Sequence, residues 1–302
     1  MWIKKYIDKE WFTFFSAPAI LWQVFFVLIP LSSILFFSFL DHTEVAGWSL
    51  SLTHYQTVFT PMYLKAILNS LLFALVTTIC CSIIAYPVAY FIAFTVKRNK
   101  LFLLLMLIIP SWTNVITQIY GWFILLQKNG PISLFLSTLH LTQGPMHLLN
   151  NKIAIIVGLV YCFLPFMVLP LYLSISSIEK RLLEASVDLG ANTLTTFWRI
   201  IVPLSRSGLM NGMLLVCVPA FGEYAAIEIL GGSNYALWGG NLVHKYLLSG
   251  DYSQGAALTI LGISALLSAV AFCLVIYKLL AWVVSPSKVP TELQNPTKSM
   301  DL

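Results

Sequence analysis

A carboxylate with apolar residues on both sides is the group in this chain with the most chemistry to offer. Glu223 falls in the run Val218-Pro-Ala-Phe-Gly-Glu-Tyr224, flanked by Phe221 and Tyr224, and belongs to a stretch, residues 207–230, that only Glu223 and Glu228 interrupt. An ionised acid at the centre of a bilayer costs about 2.5 to 3.5 kcal/mol, and less toward the interface. No lysine or arginine lies inside any apolar run to offset that cost. A cationic solute is the partner such a group lacks, and the Phe221 and Tyr224 rings add cation–π faces worth about 0.5 to 2 kcal/mol each. Counted along a helix from Gly208, Glu223 stands about 22 Å up, in the outer half of a membrane. The alternative is a glutamate at interface level, solvated by outer water.

A second polar set lies in PSWTNVITQIYGW, residues 110–122. On one continuous helix at about 100° per residue, Ser111, Asn114, Thr117, Gln118, Gly121 and Trp122 share one stripe. Polar stripes in a bilayer face water or other helices, so this one either lines a translocation path or makes interhelical hydrogen bonds. Trp112 and Tyr120 fall off it and read as packing or interface residues.

Other chemistry is scarce. The five cysteines, Cys80, Cys81, Cys162, Cys217 and Cys273, all sit in apolar runs with no CxxC pair, and read as small buried residues. His42, His54, His140, His147 and His244 are scattered singly over the outer loops and receive no role; no metal site is assigned. HExxH and GxSxG are absent, as is the GxxxxGK[ST] loop that binds ATP. The chain therefore reads as no enzyme, with no catalytic residues and no cofactor of its own.

The elements that must position these groups are membrane helices. Of 302 residues 59% are hydrophobic and 10% charged, against about 25% charged in soluble domains. Charge-free runs at 11–40, 66–96, 101–127, 153–178 and 252–277, with 207–230 as a sixth, are each long enough to span a bilayer. The expectation is an all-α membrane protein of six transmembrane helices. The first run is too long for a secretory h-region and no small-residue cleavage site follows it. Of the 17 lysines and arginines, only Lys65, Lys128, Lys152 and Lys245 fall outside when both termini are cytoplasmic, which sets that orientation. The boundaries follow: a cytoplasmic N-terminal segment 1–15, a transmembrane domain 16–284, and a polar, disordered cytoplasmic tail 285–302.

Within the spans, Pro30 predicts a kink, Ala85, Ala89 and Ala93 a small-residue packing face, and Gly208 and Gly212 close helix contact. Between them, a short outer helix capped by Thr53 and a turn at Asn129, Gly130 and Pro131 are expected. Glu228 and the glycines after it form an exit loop, and Asp251 stands just before the sixth span.

Residues 179–208 form the one long polar island with ordered spacing. Leu182, Leu183, Val187 and Leu189 make a short amphipathic helix that Gly190 ends, and Phe197, Trp198, Ile200 and Ile201 make a second that Pro203 breaks. By spacing alone this is either a docking element or a helix lying on the membrane surface. Glu184, Ala185 and Ser186, then Gly190, Ile200, Val202 and Pro203, resemble the pattern E-A-A-x3-G-x9-I-x-L-P of bacterial ABC importer permeases. Ser186 replaces the second alanine and Val202 the leucine. The resemblance implies a type I ABC importer permease fold in which this loop carries a cytoplasmic coupling helix, seated in a groove of a separate ATPase that binds ATP and Mg.

Further stretches narrow the resemblance. AYPVAYFIA, IIPSWTNVITQIYGW, KNGPIS, GLVYCFLPFMVLPLY, LLEASVDLGA and PAFGEYAAIEILGG look like the permease subunits of bacterial spermidine and putrescine importers, over most of residues 60–240. This implies an inner-membrane subunit paired with a second permease, a cytoplasmic ATPase dimer and a periplasmic polyamine-binding protein. Glu223, Phe221, Tyr224, Trp122, Gln118 and Asn114 are then the expected substrate path. The alternatives are a permease for an amino acid, a sugar or ferric iron, or a secondary transporter. The last should show paired inverted halves, and residues 1–150 and 151–302 do not match.

Overall fold

The computed structural model describes residues 2–43, 47–141, 144, 146–232 and 239–284, with the side chains of 16–41, 49–141, 144, 146–232 and 239–275. The C-terminal tail, 285–302, lies outside them. The chain divides into two compact units. Residues 1–261 contain every candidate site; the described part of residues 262–302 is the last stretch of a helix.

Helix α1 (Trp2–Phe37) contains Pro18 and Pro30 and is continuous through both. A hairpin follows, β1 (Leu40–Thr43) antiparallel to β2 (Gly47–Leu50), with Leu40 opposite Leu50. Then comes α2 (Thr53–Val58), the expected short helix. Thr53 is its first residue and not its cap. The Thr53 N–H donates to Ser51 Oγ at 3.2 Å, and the Thr53 hydroxyl donates to Asp41 Oδ2 at 3.2 Å.

Three long helices make the interior: α3 (Pro61–Tyr90, widening into a π turn over Phe91–Thr95), α7 (Lys152–Ser176) and α11 (Arg206–Gly222). Small residues bring them together, as the spacing predicts. Ala85, Ala89 and Ala93 are buried. A Cβ on Gly208 would stand 2.5 Å from the Pro170 carbonyl oxygen, and one on Gly212 2.6 Å from Met167 Sδ. Only glycine permits that approach of α11 to α7. The buried hydroxyls of Thr78 and Ser82 are satisfied one turn back, by the carbonyls of Ala74 at 2.7 Å and Thr78 at 2.8 Å.

Four helices are long and apolar enough to span a membrane unbroken: Ser16–Phe37, Pro61–Thr95, Lys152–Ser176 and Tyr252–Val275. Two more spans are bent, Lys100–Trp112 with Val115–Thr138 by 92° and Thr193–Leu204 with Arg206–Gly222 by 68°, which makes six among the described residues. The third run is thus α4 (Lys100–Ile108) with a 3-10 turn (Ile109–Trp112), then α5 (Val115–Leu126) and α6 (Pro131–Thr138). The expected turn before α6 is present: the Gly130 N–H donates to the Gln127 carbonyl at 2.8 Å and Pro131 opens the helix.

The polar island folds as α8 (Lys180–Asp188), α9 (Thr193–Thr196), a π turn (Phe197–Ile201) and α10 (Val202–Leu204). Pro203 does not break this run. It has no N–H for the Arg199 carbonyl, and the ladder instead widens so that the Val202 N–H reaches the carbonyl of Phe197. The bend comes at Ser205, just before α11. The expected exit loop also contains a helix, α12 (Gly239–Ser249), before α13 (Tyr252–Val284). Gly250, at φ +82°, turns the chain between them, and Asp251 Oδ1 accepts from the Gln254 N–H at 3.0 Å to cap α13.

Candidate functional site

Two corners carry the predicted residues. The first follows α8. The Gly190 N–H donates to the Val187 carbonyl at 2.8 Å, and the Ala191 N–H to that of Ser186 at 3.0 Å. These are the paired bonds of a Schellman end, and Gly190 holds the left-handed φ of +80° that it needs. Asn192 then caps α9, its Oδ1 accepting from the Thr195 N–H at 2.7 Å. Ser186 is the one buried residue of α8; its hydroxyl lies 2.7 Å from the Leu183 carbonyl and 2.9 Å from Thr196 Oγ1. Glu184, Ala185 and Pro203 are exposed, and Ile200 is half-buried. Val187, Leu189, Leu194 and Trp198 leave large apolar surfaces uncovered around this corner.

The second corner is where α11 stops at Gly222. Glu223 takes an extended backbone, φ −69° and ψ 122°. Its Oε1 accepts from the N–H groups of Ala225 at 2.9 Å and Ala226 at 3.4 Å. It thereby caps a short helix that starts at Ala225 and widens into a π turn over Ile227–Gly231. The second carboxylate oxygen has no donor among the described residues. The carboxylate is therefore held by backbone and still able to meet a cation. Phe221, Glu223 and Tyr224 are all half-buried. The Tyr224 ring stacks on that of His244 from α12, with centroids 4.2 Å apart and planes 27° apart.

The polar stripe survives only in part. The helix breaks at Thr113 and Asn114, so Ser111 and Asn114 leave the projection that assumed one continuous helix. Asn114 is the cap of α5, its Oδ1 accepting from the Ile116 N–H at 2.8 Å. Gln118 bridges the break; its Nε2 donates to the carbonyl of Thr113 at 3.1 Å and to that of Pro110 at 2.9 Å, which also accepts from the Thr113 N–H at 3.1 Å and hydroxyl at 2.7 Å. Thr117, Gln118, Gly121 and Trp122 do share a face, lining a cleft of about 290 Å³ together with Thr113, Leu125 and Tyr161. Trp122 meets Tyr161 edge-on, with centroids 5.6 Å apart. The acidic corner is outside that lining. The two are linked by the π turn at 227–231, which packs on both α5 and α7.

The histidines are less isolated than their spacing suggests. His54 Nδ1 lies 2.9 Å from Gln254 Oε1, and its Nε2 3.7 Å from Asp41 Oδ1. No local signal joins residues so far apart in the chain. Nor does the sequence signal His244, whose helix α12 mixes glycine, histidine and lysine. Among the described residues no three histidines, cysteines or acids gather as a metal site would require.

Comparison with known proteins places these features. The family described as "Binding-protein-dependent transport system inner membrane component" matches residues 85–284. The spermidine/putrescine transport system permease protein PotB of Haemophilus influenzae is 37% identical over 253 residues, 83% of this chain and 88% of that protein. PotB of Escherichia coli K12 is 39% identical over 241 residues, 79% of this chain and 88% of that protein. Among solved structures, a bacterial ABC transporter involved in import of the acidic polysaccharide alginate superposes with a TM-score of 0.69, at 16% identity, over 95% of this chain and all of the matched one. That likeness is one of fold. Apolar spans around three helices packed through small residues, with two helix pairs bent at 113–114 and 205, define a multi-pass transport subunit of the type I ABC importer permease fold. The chain belongs to the family of binding-protein-dependent transport system inner membrane components.

Proposed function

We propose that this chain is a permease subunit of an ATP-driven importer of polyamines, putrescine or spermidine or both. The observation that carries the reading is identity of 37–39% over about four-fifths of the chain to two permeases named for spermidine and putrescine. The acidic corner agrees with it in chemistry: a carboxylate with one free oxygen, beside two aromatic rings, suits an alkylammonium cargo.

On this reading both termini are cytoplasmic and the segment 285–302 is a tail. The corner from Glu184 to Gly190 docks into a separate ATPase dimer, which binds ATP and Mg. A second permease subunit completes the path, and a periplasmic binding protein delivers the polyamine. Nucleotide-driven closure of the ATPase moves α8, and Ser186, Ile200 and Pro203 pass that movement to α11. Glu223, Phe221 and Tyr224 receive the cation, with Trp122 and Gln118 further along and Asn114 holding the bend beside them.

Uptake of radiolabelled putrescine and spermidine in cells whose only polyamine importer is this one tests the reading. Glu223→Gln keeps an oxygen for the Ala225 N–H, so assembly should persist. Uptake should fall by at least about tenfold, the equivalent of some 1.4 kcal/mol of cation binding. Unchanged uptake in that variant would remove the carboxylate from the path. Absence of uptake of either polyamine by the native importer would overturn the cargo.

A further inference from the structure

Helix α12 presents two faces to the rest of the chain. One meets α3: the Gly239 N–H donates to Ser70 Oγ at 3.0 Å, and Tyr246 shares a hydroxyl hydrogen bond with Tyr63. The other meets the acidic corner. A Cβ on Gly240 would stand 2.9 Å from the Gly222 carbonyl oxygen, and one turn on, His244 stacks against Tyr224 at 4.2 Å. Residues four apart share a helix face, so the backbone contact at Gly240 and the ring contact at His244 are made together. Asn241 and Leu242, between them, are buried.

The acid and the aromatic at this corner are thus held by separate devices. Glu223 is tied to the N–H groups of Ala225 and Ala226. Tyr224 sits on irregular backbone between α11 and the short helix, where nothing in its own segment fixes the ring. What fixes it is the imidazole, anchored through α12 to α3. One face of the tyrosine is covered by the stack, its only ring contact among the described residues, and the residue as a whole is half-buried.

We infer that His244 is a positioning residue for cation recognition: by stacking on Tyr224 it holds that ring so that the tyrosine and the neighbouring Glu223 carboxylate act on one alkylammonium group. The inference rests on Glu223 and Tyr224 being cargo contacts. Without the stack, an arriving cation has to order the ring itself, and that entropy is subtracted from binding. The imidazole need not touch the cargo.

The test uses the complete importer in proteoliposomes, with its binding protein, ATP and radiolabelled putrescine, and rates expressed per assembled complex. His244→Ala should lower the rate about fivefold, the usual worth of an aromatic pair. His244→Phe, which keeps a flat ring, should return it to within about twofold, whereas His244→Leu, which keeps bulk only, should not. In a Tyr224→Ala background, His244→Ala should change the rate by less than about twofold, since the two act as a unit. A native rate in His244→Ala, equal rescue by Leu and Phe, or full additivity with Tyr224→Ala would each overturn the inference. If His244→Ala does not assemble, the contrast of Phe with Leu decides. Glu223→Gln and Tyr224→Ala are measured beside them. Native rates in both would overturn the cargo contacts and this inference together; losses in both with native rates in the His244 variants would overturn this inference alone.

Discussion

The Ser186 hydroxyl lies 2.9 Å from that of Thr196, with both side chains buried, so α8 is tied across the Gly190 corner to the helix after it. Serine stands here where the importer pattern has alanine, and the structure gives the replacement a partner. A push on α8 at Glu184 or Leu189 is therefore passed to α9 through side chains as well as backbone.

Ser186→Ala should leave the Thr196 hydroxyl without that partner and cost about 1 to 3 kcal/mol. Replacing both, with Ser186→Ala and Thr196→Val, should recover most of the loss. Thermal unfolding of the purified chain in detergent measures both. Losses that simply add would show that the two hydroxyls are not coupled.

At Gly190 the limit is conformation and not room. A Cβ there would meet nothing within 4 Å, whereas φ is +80°. Gly190→Ala should destabilise the corner by about 1 kcal/mol, Gly190→Asn by less, and a β-branched Gly190→Val by more. The ratio of ATP hydrolysed to solute moved, in the reconstituted importer, should rise in the order Asn, Ala, Val. Equal ratios for all three would mean that the turn has no part in coupling.

Gln118 is the only described side chain donating across the bend in the third span. Gln118→Leu, of similar length, should strip its donor from the Thr113 carbonyl, while that of Pro110 keeps the Thr113 N–H and hydroxyl, and cost about 1 kcal/mol. The readout is limited proteolysis in detergent, with faster cleavage near residues 110–114 than in the native chain. Identical cleavage would mean that packing alone holds the bend.

Tyr246 carries an alkaline prediction. Burial, and then the Tyr63 hydroxyl, push its phenol from 10 up to about 12. The folded-state value is above the unfolded one, so its contribution to stability is complete below pH 10. It is lost as the pH rises through about 12. Between those limits α12 should loosen from α3 in the native chain and change less in Tyr246→Phe. Near-ultraviolet tyrosinate absorbance, read against hydrogen exchange of α12, follows both events. The same exchange profile in the two proteins would rule the phenol out.

How much of this was legible in the sequence depends on which signal a membrane leaves intact. The packing of α3, α7 and α11 was, because a close helix contact demands small residues at fixed intervals, and Ala85, Ala89, Gly208 and Gly212 show them plainly. The Gly190 corner was legible for a like reason. The bends at 113–114 and 205 were not. Asn114 and Gln118 have the same residue types whether they line a path, cap a helix or bridge a break, and hydropathy averages over all three. Proline misled at 203, where the ladder widens to accommodate it and the bend comes two residues later. Helix α12 was hidden by its mixture of glycine, histidine and lysine, and the contact of His54 with Gln254 joins distant parts of the chain.

Of the span Ser16–Phe37, no residue is buried within the chain. Apart from Ile34 and Phe37, which line a cleft with Leu247 and Tyr252, its side chains meet whatever surrounds the molecule. Its described apolar stretch of 22 residues is about 33 Å long, enough to cross a hydrocarbon layer of about 30 Å, and the helix continues N-terminally to Trp2. A thinner bilayer should make this helix lean by itself, with α3, α7 and α11 unmoved.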